Sequence, residues 1–281
     1  MAKAAFNMCK DLNCFSVHIG GGEPFLKVKN LLEVLEIAQD IHVSIDYIET
    51  NSSWYREHGA AVAILEQIRA YGVDTLLISA SPFHLEFIPF KKVLGVVNAC
   101  REAGVNPLIW TDDFFHIFKQ LDPEKTYSIN ELEKVIGRKA LHGMIASYWI
   151  HPGGRALETF FGTGMSCQEI LVEFSGGCKE LLDTSHFHID LYGNYIPGLC
   201  SGLAIRLEDL GRPIDPKRYP LISILYEEGI CGLYRYASEK GFSADKEQYG
   251  SKCSLCFKMR KFLLEKGEHL LELAPSPHYK Y

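Results

Sequence analysis

The chain has 281 residues, 47% of them hydrophobic and 23% charged, and a formal net charge of −6, which suits a globular protein of one or two domains and argues against nucleic acid as a partner. No apolar run approaches the roughly 18 residues of a membrane span, and MAKAAFNMCKDLNC at the start lacks the apolar core of a secretory signal, so a cytoplasmic protein without a membrane partner is expected. In that reducing compartment the nine cysteines are not expected to form a disulfide framework, and any that cluster are better read as metal ligands.

In chain order, four apolar runs read as strands: CFSVHI before Gly20, SIDYIE before Thr50, DTLLIS before Ala80 and NPLIW before Thr111. Their ends recur about every thirty residues, the length of one βαβ unit. Helical stripes fill the gaps. Val28, Leu31, Leu32, Leu35 and Ala38 form the first; Ala61, Ile64, Leu65 and Ile68 the second; Phe90, Val93, Leu94, Val97 and Cys100 the third. The alternation predicts an α/β fold with a parallel sheet, either doubly wound or barrel-like, whose ligands bind at the carboxyl ends of the strands. Residues 20–24, 49–52, 79–84 and 111–113 are therefore expected to line one mouth. Residues 113–142 mix helical and loop signals. GMIASYWI, 143–150, reads as a further strand, followed by HPGGRA.

The chemistry changes after about residue 165, giving an expected barrel-like region over 1–165 and a small cysteine-containing module over 166–281. HFHIDLYGNYIPGLC alternates His186, His188 and Asp190 with Phe187, Ile189 and Leu191, then turns at Gly193 and Asn194, the pattern of a β-hairpin. The two histidines and Asp190 are candidate proton donors or substrate groups, although histidines in such a hairpin are more often packed. Cys253 and Cys256 form a CxxC ahead of a last amphipathic helix, KMRKFLLEKGEHLLEL. Thiolates at that spacing on a tight turn converge on one metal. By itself the pair is compatible with zinc, with redox work or with no role. Cys100 and Cys167 read as buried helical residues, and His18 as a packed strand residue.

The first strand ends in GGGEP. Glycine suits the positive φ of a strand-to-helix turn and proline the first helical turn, so a plain turn explains the motif. A chemical reading also stands. Bare backbone lets a ligand approach closely, while Glu23 accepts from an ammonium group. A zwitterionic amino acid suits such a site.

HIGGGEPFL, with TNSS at the next strand tip and SASP at the one after, resembles the S-adenosylmethionine (SAM) site of radical SAM enzymes. The resemblance covers roughly residues 12 to 160. It implies that Gly21, Gly22, Glu23 and Pro24 hold the methionyl amino group, and that Ser79 and Ser81 lie near the ribose. Gly154-Arg155-Ala156 resembles the GRA found late in many of these barrels, making Arg155 a cofactor-binding candidate. The implied fold is a partial parallel (β/α) barrel. One feature of the family is missing: the CxxxCxxC loop whose thiolates hold the SAM-binding [4Fe–4S] cluster. Cys9 and Cys14 have neither the spacing nor the context, so the first strand and that loop are expected to lie outside this chain, and MAKAAFNMCKDL to be the tail of the first crossover helix.

The hairpin flanked by Cys178 and Cys200, followed by a distant CxxC, is similar to the SPASM or twitch extensions of the same family. That resemblance implies an auxiliary [4Fe–4S] cluster on Cys178, Cys200, Cys253 and Cys256, with Cys231 as the substitute for Cys178. Zinc or no metal stays open. The function implied is reductive cleavage of SAM and hydrogen abstraction from a substrate of unknown identity, in such families often a peptide or protein. Alternatives are a cluster-binding fragment without radical chemistry and a zinc-stabilised barrel binding a small molecule.

Overall fold

The computed structural model describes residues 1–147, 164–198, 200, 202–244, 248–268 and 270–280. The chain forms two compact units, Ala2–Trp149 and Ile150–Tyr281.

The first unit opens with helix α1 (Ala2–Asp11) and then alternates strand and helix. Its order is β1 (His18–Ile19), α2 (Val28–Asp40), β2 (Tyr47–Thr50), α3 (His58–Ala70), β3 (Thr75–Ser79), α4 (Pro82–Leu85), α5 (Phe90–Ala103) and β4 (Asn106–Trp110). All neighbouring strands pair in parallel, in the spatial order β1-β2-β3-β4. Successive strands are neighbours, and α3 packs against both α2 and α5; with the right-handed crossovers that βαβ units take, this order gives a singly wound sheet with its connecting helices on one face. A doubly wound sheet reverses its strand order at a switch point, and this one does not. Among the described residues the sheet is open, with β1 and β4 at its edges, and no closed barrel is present.

The register separates two faces. Ile48, Thr50, Leu76 and Ile78 are buried, as are Leu31 and Leu35 of α2, Leu65 and Ile68 of α3, and Val93 and Val97 of α5, the pattern of an apolar layer between a sheet and its covering helices. Strand alternation turns His18, Tyr47, Glu49, Leu77, Ser79, Leu108 and Trp110 to the other face, where none is fully buried. The carboxyl ends of all four strands lie along one edge. There the tips at 20–24, 49–52, 79–84 and 111–113 are found side by side.

Beyond β4 the chain is helical: α6 (Asp112–Phe118), α7 (Ile129–Ile136) and α8 (Arg138–Ser147). This corrects the strand expected over 143–150, since 143–147 belong to α8 and 148–150 lie outside the described residues. Leu141 and Ile145, four residues apart, are both buried, and that helical spacing outweighs the β-branched reading of the short run. α7 carries a signal that the mixed reading of 113–142 overlooked, a capping box in which Ser128 and Glu131 each take the other's backbone N–H.

In the second unit, α9 (Cys167–Glu173) and α10 (Lys179–Leu182) precede a three-stranded antiparallel sheet of β5 (Phe187–Ile189), β6 (Asn194–Pro197) and β7 (Ile205–Arg206). The β5–β6 hairpin is the expected one, while β7 was not expected. Helices α11 (Pro220–Glu227), α12 (Gly229–Glu239) and α13 (Lys252–Glu265) follow. They share a core with the sheet that includes Tyr195, Leu221, Leu233, Leu255, Met259 and Leu263. α13 begins six residues before the predicted helix and includes the CxxC. Ser251 caps it by accepting from Ser254 N–H, so Cys253 lies in the first helical turn and Cys256 at the start of the second, neither on a separate tight turn. No described helix is long and apolar enough to cross a membrane.

Candidate functional site

Two sets of predicted residues occupy distinct places, one in each unit. In the first unit, Gly21 and Gly22 leave β1 with φ of +78° and +46°, a region that only glycine enters without cost. No atom lies within 4 Å of where either would carry a Cβ, so their backbone is open to a ligand. Glu23 is directed inward. Its carboxylate accepts from Phe25 N–H at 3.2 Å, from the Thr50 hydroxyl at 3.0 Å to each oxygen, and from Asn51 N–H at 2.7 Å. Burial raises its pKa above the ordinary value, and these donors act in the opposite sense. Glu23 thus caps the 3-10 turn Pro24–Lys27 and ties the tip of β1 to that of β2. Such a carboxylate fixes the glycine turn; it is not an open acceptor for an ammonium group.

At the remaining tips, Ser79 is half-buried, on the face of β3 opposite Leu76 and Ile78. Ser81 is buried, with its hydroxyl 2.7 Å from His84 Nδ1. Arg155 lies outside the described residues. Ser52 and Thr111 hold φ of +67° without being glycine, and strained tips of this kind gather where loops line a ligand site. His18 stacks on Tyr47 with centroids 4.7 Å apart and lies 3.5 Å from Glu49.

The second set is the cysteines. Cys178, Cys200, Cys253 and Cys256 all line one cavity of about 360 Å³, and all four are free thiols. Local structure explains how each arrives. Cys253 and Cys256, three apart, share a face of α13. Cys200 follows β6, its N–H donating to Pro197 C=O at 3.0 Å. Cys178 precedes α10, its N–H donating to Leu225 C=O at 2.8 Å. That approach depends on Gly177, where a Cβ would meet the Tyr226 carbonyl oxygen at 2.3 Å. Cys231 does not line the cavity. Its Sγ donates to Leu171 C=O at 3.2 Å.

Burial first, and the neighbouring sulfurs second, push Cys200 and Cys253 up to about 12. Neutral thiols are thus favoured until a metal takes the place of their protons. Three cations line the same cavity, Lys179, Lys252 and Arg260, and Lys179 is exposed to solvent. Lys252 pairs with Glu180. Arg260 is 6% exposed and donates toward the Cys256 sulfur. His278 also lines the cavity, with a buried Nε2 that has no hydrogen-bond partner among the described residues. Arg260 and His278 were not singled out from sequence. Arg260 had one legible signal, its i+4 and i+7 spacing from the CxxC, whereas nothing local marks His278.

The hairpin candidates divide. Asp190 accepts from Tyr192 N–H, Asn194 N–H and Asn194 Nδ2 at 2.8–2.9 Å, so its carboxylate shapes the turn. His186 and His188 are exposed, with Nε2 atoms 3.3 Å apart. Neither lines the cysteine cavity.

No family model matches this chain, and no curated protein is significantly similar to it.

Proposed function

We propose that this chain is a radical SAM-type protein whose second unit holds an auxiliary [4Fe–4S] cluster and whose first unit presents its strand tips to S-adenosylmethionine. The observation that carries the reading is the meeting of Cys178, Cys200, Cys253 and Cys256 around one cavity, brought from three separate stretches of chain. A four-thiolate zinc site closes to a tetrahedron with Zn–S near about 2.3 Å, and a cavity of about 360 Å³ suits a larger group. When bound, such a cluster supplies one-electron chemistry.

The chain's own residues then have defined tasks. The four thiolates hold the cluster, Arg260 and Lys252 offset its negative charge, and Leu203, Leu225, Ile230 and Phe257 line the cavity and limit water. In the first unit the backbone of Gly21 and Gly22 takes the methionyl group, Glu23 and Pro24 fix that turn, and Ser79 faces the ribose. The substrate is not assigned; related families with such extensions often act on a peptide or protein. One sequence fact favours a second reading for this chain taken alone: its nine cysteines include no CxxxCxxC, so it binds the auxiliary cluster without cleaving SAM.

Anaerobic reconstitution tests the reading. It is expected to give about four irons per chain, most of them lost in Cys256→Ala. One equivalent of zinc with no iron would overturn it in favour of a zinc-stabilised module.

A further inference from the structure

Arg260 is the charged group most firmly built into the cysteine cavity. On α13 it follows Cys256 by four residues and Cys253 by seven, so all three share one helical face, next to the core stripe of Leu255, Met259 and Leu263. Its guanidinium donates to Tyr279 Oη at 2.8 Å. Tyr279 Oη in turn donates to the Gly202 carbonyl, two residues beyond Cys200. The guanidinium also lies over the rings of Phe257 and Tyr279, 5.8 and 5.7 Å from their centroids. Arginine stays protonated in proteins, so the buried guanidinium keeps its charge. Of the cavity's other two cations, Lys179 is exposed to solvent, which screens its charge, and Lys252 is paired with the Glu180 carboxylate, which cancels much of its field.

We infer that Arg260 is a positioning residue that sets the reduction potential of the cluster in this cavity, as a fixed positive charge on the Cys256 side; the inference rests on the cluster proposed above. Adding one electron makes the cluster and its four thiolates more negative by one charge, with no bond made or broken. A positive charge held against a ligand sulfur stabilises the reduced form more than the oxidised one, and in a buried site this field is weakly screened. The Tyr279 hydroxyl and the flanking rings keep the guanidinium from swinging away.

The test uses the full chain, reconstituted anaerobically and titrated with dithionite against a dye of known potential, followed by electron paramagnetic resonance. Arg260→Gln is expected to lower the reduction equilibrium constant tenfold or more, about 59 mV or more for one electron. Arg260→Lys keeps the charge and is expected to stay within about threefold of the parent. Tyr279→Phe frees the guanidinium and is expected to shift the potential in the same direction as Arg260→Gln, but less. An unchanged potential in Arg260→Gln, or a fall in Arg260→Lys as large as in the Gln variant, overturns the inference. Should Arg260→Gln fail to load iron, an unchanged potential in Tyr279→Phe overturns it instead. Failure of the underlying reading looks different, because the parent chain then takes up no iron at all.

Discussion

The hydroxyl of Thr50 lies 3.0 Å from both carboxylate oxygens of Glu23, joining two strand tips 27 residues apart in sequence. The same oxygen accepts from Ser52 N–H at 3.0 Å and from Trp54 Nε1–H at 2.9 Å. One hydroxyl therefore organises the turns after both β1 and β2. Thr50→Val is expected to cost about 2 kcal/mol, because it takes one of three donors from a partly buried carboxylate and leaves two N–H donors without their acceptor. In a double-mutant cycle with Glu23→Ala the coupling should reach about 1 kcal/mol. Additive effects in urea unfolding would show that the two residues act separately.

Ser52 sits at φ +67° with a buried hydroxyl that has no partner among the described residues. A left-handed conformation costs an L-residue about 1 kcal/mol or more relative to glycine. Ser52→Gly removes both liabilities, so the first unit should be stabilised by roughly 1 kcal/mol. A lower denaturation midpoint would mean that the hydroxyl is engaged after all.

Cysteines on and off the cavity should separate cleanly on reconstitution. Cys200→Ala should lose most iron, whereas Cys231→Ala and Cys167→Ala should keep it. Gly177→Ala is a sharper probe, because its methyl would overlap the Tyr226 carbonyl. It should cost about 1–3 kcal/mol through overpacking and lower iron uptake by displacing Cys178. Loss of iron in Cys231→Ala would make that residue the fourth ligand in place of Cys178.

Glu272 is fully buried and accepts from Leu221 N–H at 2.7 Å and Ile222 N–H at 2.9 Å, at the start of α11. Burial pushes its pKa up from 4.5 to about 7. With the folded value above the unfolded one, its contribution to stability is complete below about pH 4.5 and is lost as pH rises through about 7. Between those limits the second unit should lose up to about 3 kcal/mol, a decline absent from Glu272→Gln. Parallel stability curves for the two proteins would show that the two N–H donors hold the carboxylate near its ordinary value.

Incubated with SAM and dithionite, the reconstituted 281-residue chain should release no 5′-deoxyadenosine. Reducing a sulfonium needs a cluster in contact with it, and an auxiliary cluster with four cysteine ligands has no iron open to SAM. Catalytic amounts of that product on chromatography would refute the assignment of all four cysteines to one cluster.

Periodicity determined much of the first unit. Stripes such as Leu31, Leu35 and Ala38 place one helical face on the core wherever the chain is put, and apolar runs ending in glycine or small polar residues mark strand tips. The β5–β6 hairpin was equally legible, because alternation and a glycine turn are local signals. What periodicity left open was winding, since singly and doubly wound sheets share the same βα repeat; only the spatial order of β1 to β4 decides. The run 143–147 misled because a short apolar stretch fits either period, and burial of Leu141 with Ile145 settles it as helix. Sequence also offered Cys178, Cys200, Cys253 and Cys256 as a set, but spacing alone does not bring residues 178 and 253 to one cavity. That depends on the close approach at Gly177 and on which face α13 turns inward. Asp190 is satisfied within its own turn, but the tie from Glu23 to the second strand tip and the hold of Tyr279 on Arg260 lay with tertiary structure. A charged side chain such as Glu23 or Arg260 reads the same in sequence whether it meets solvent or is buried, because the partners that decide it, Asn51 and Tyr279, come from other segments of the chain.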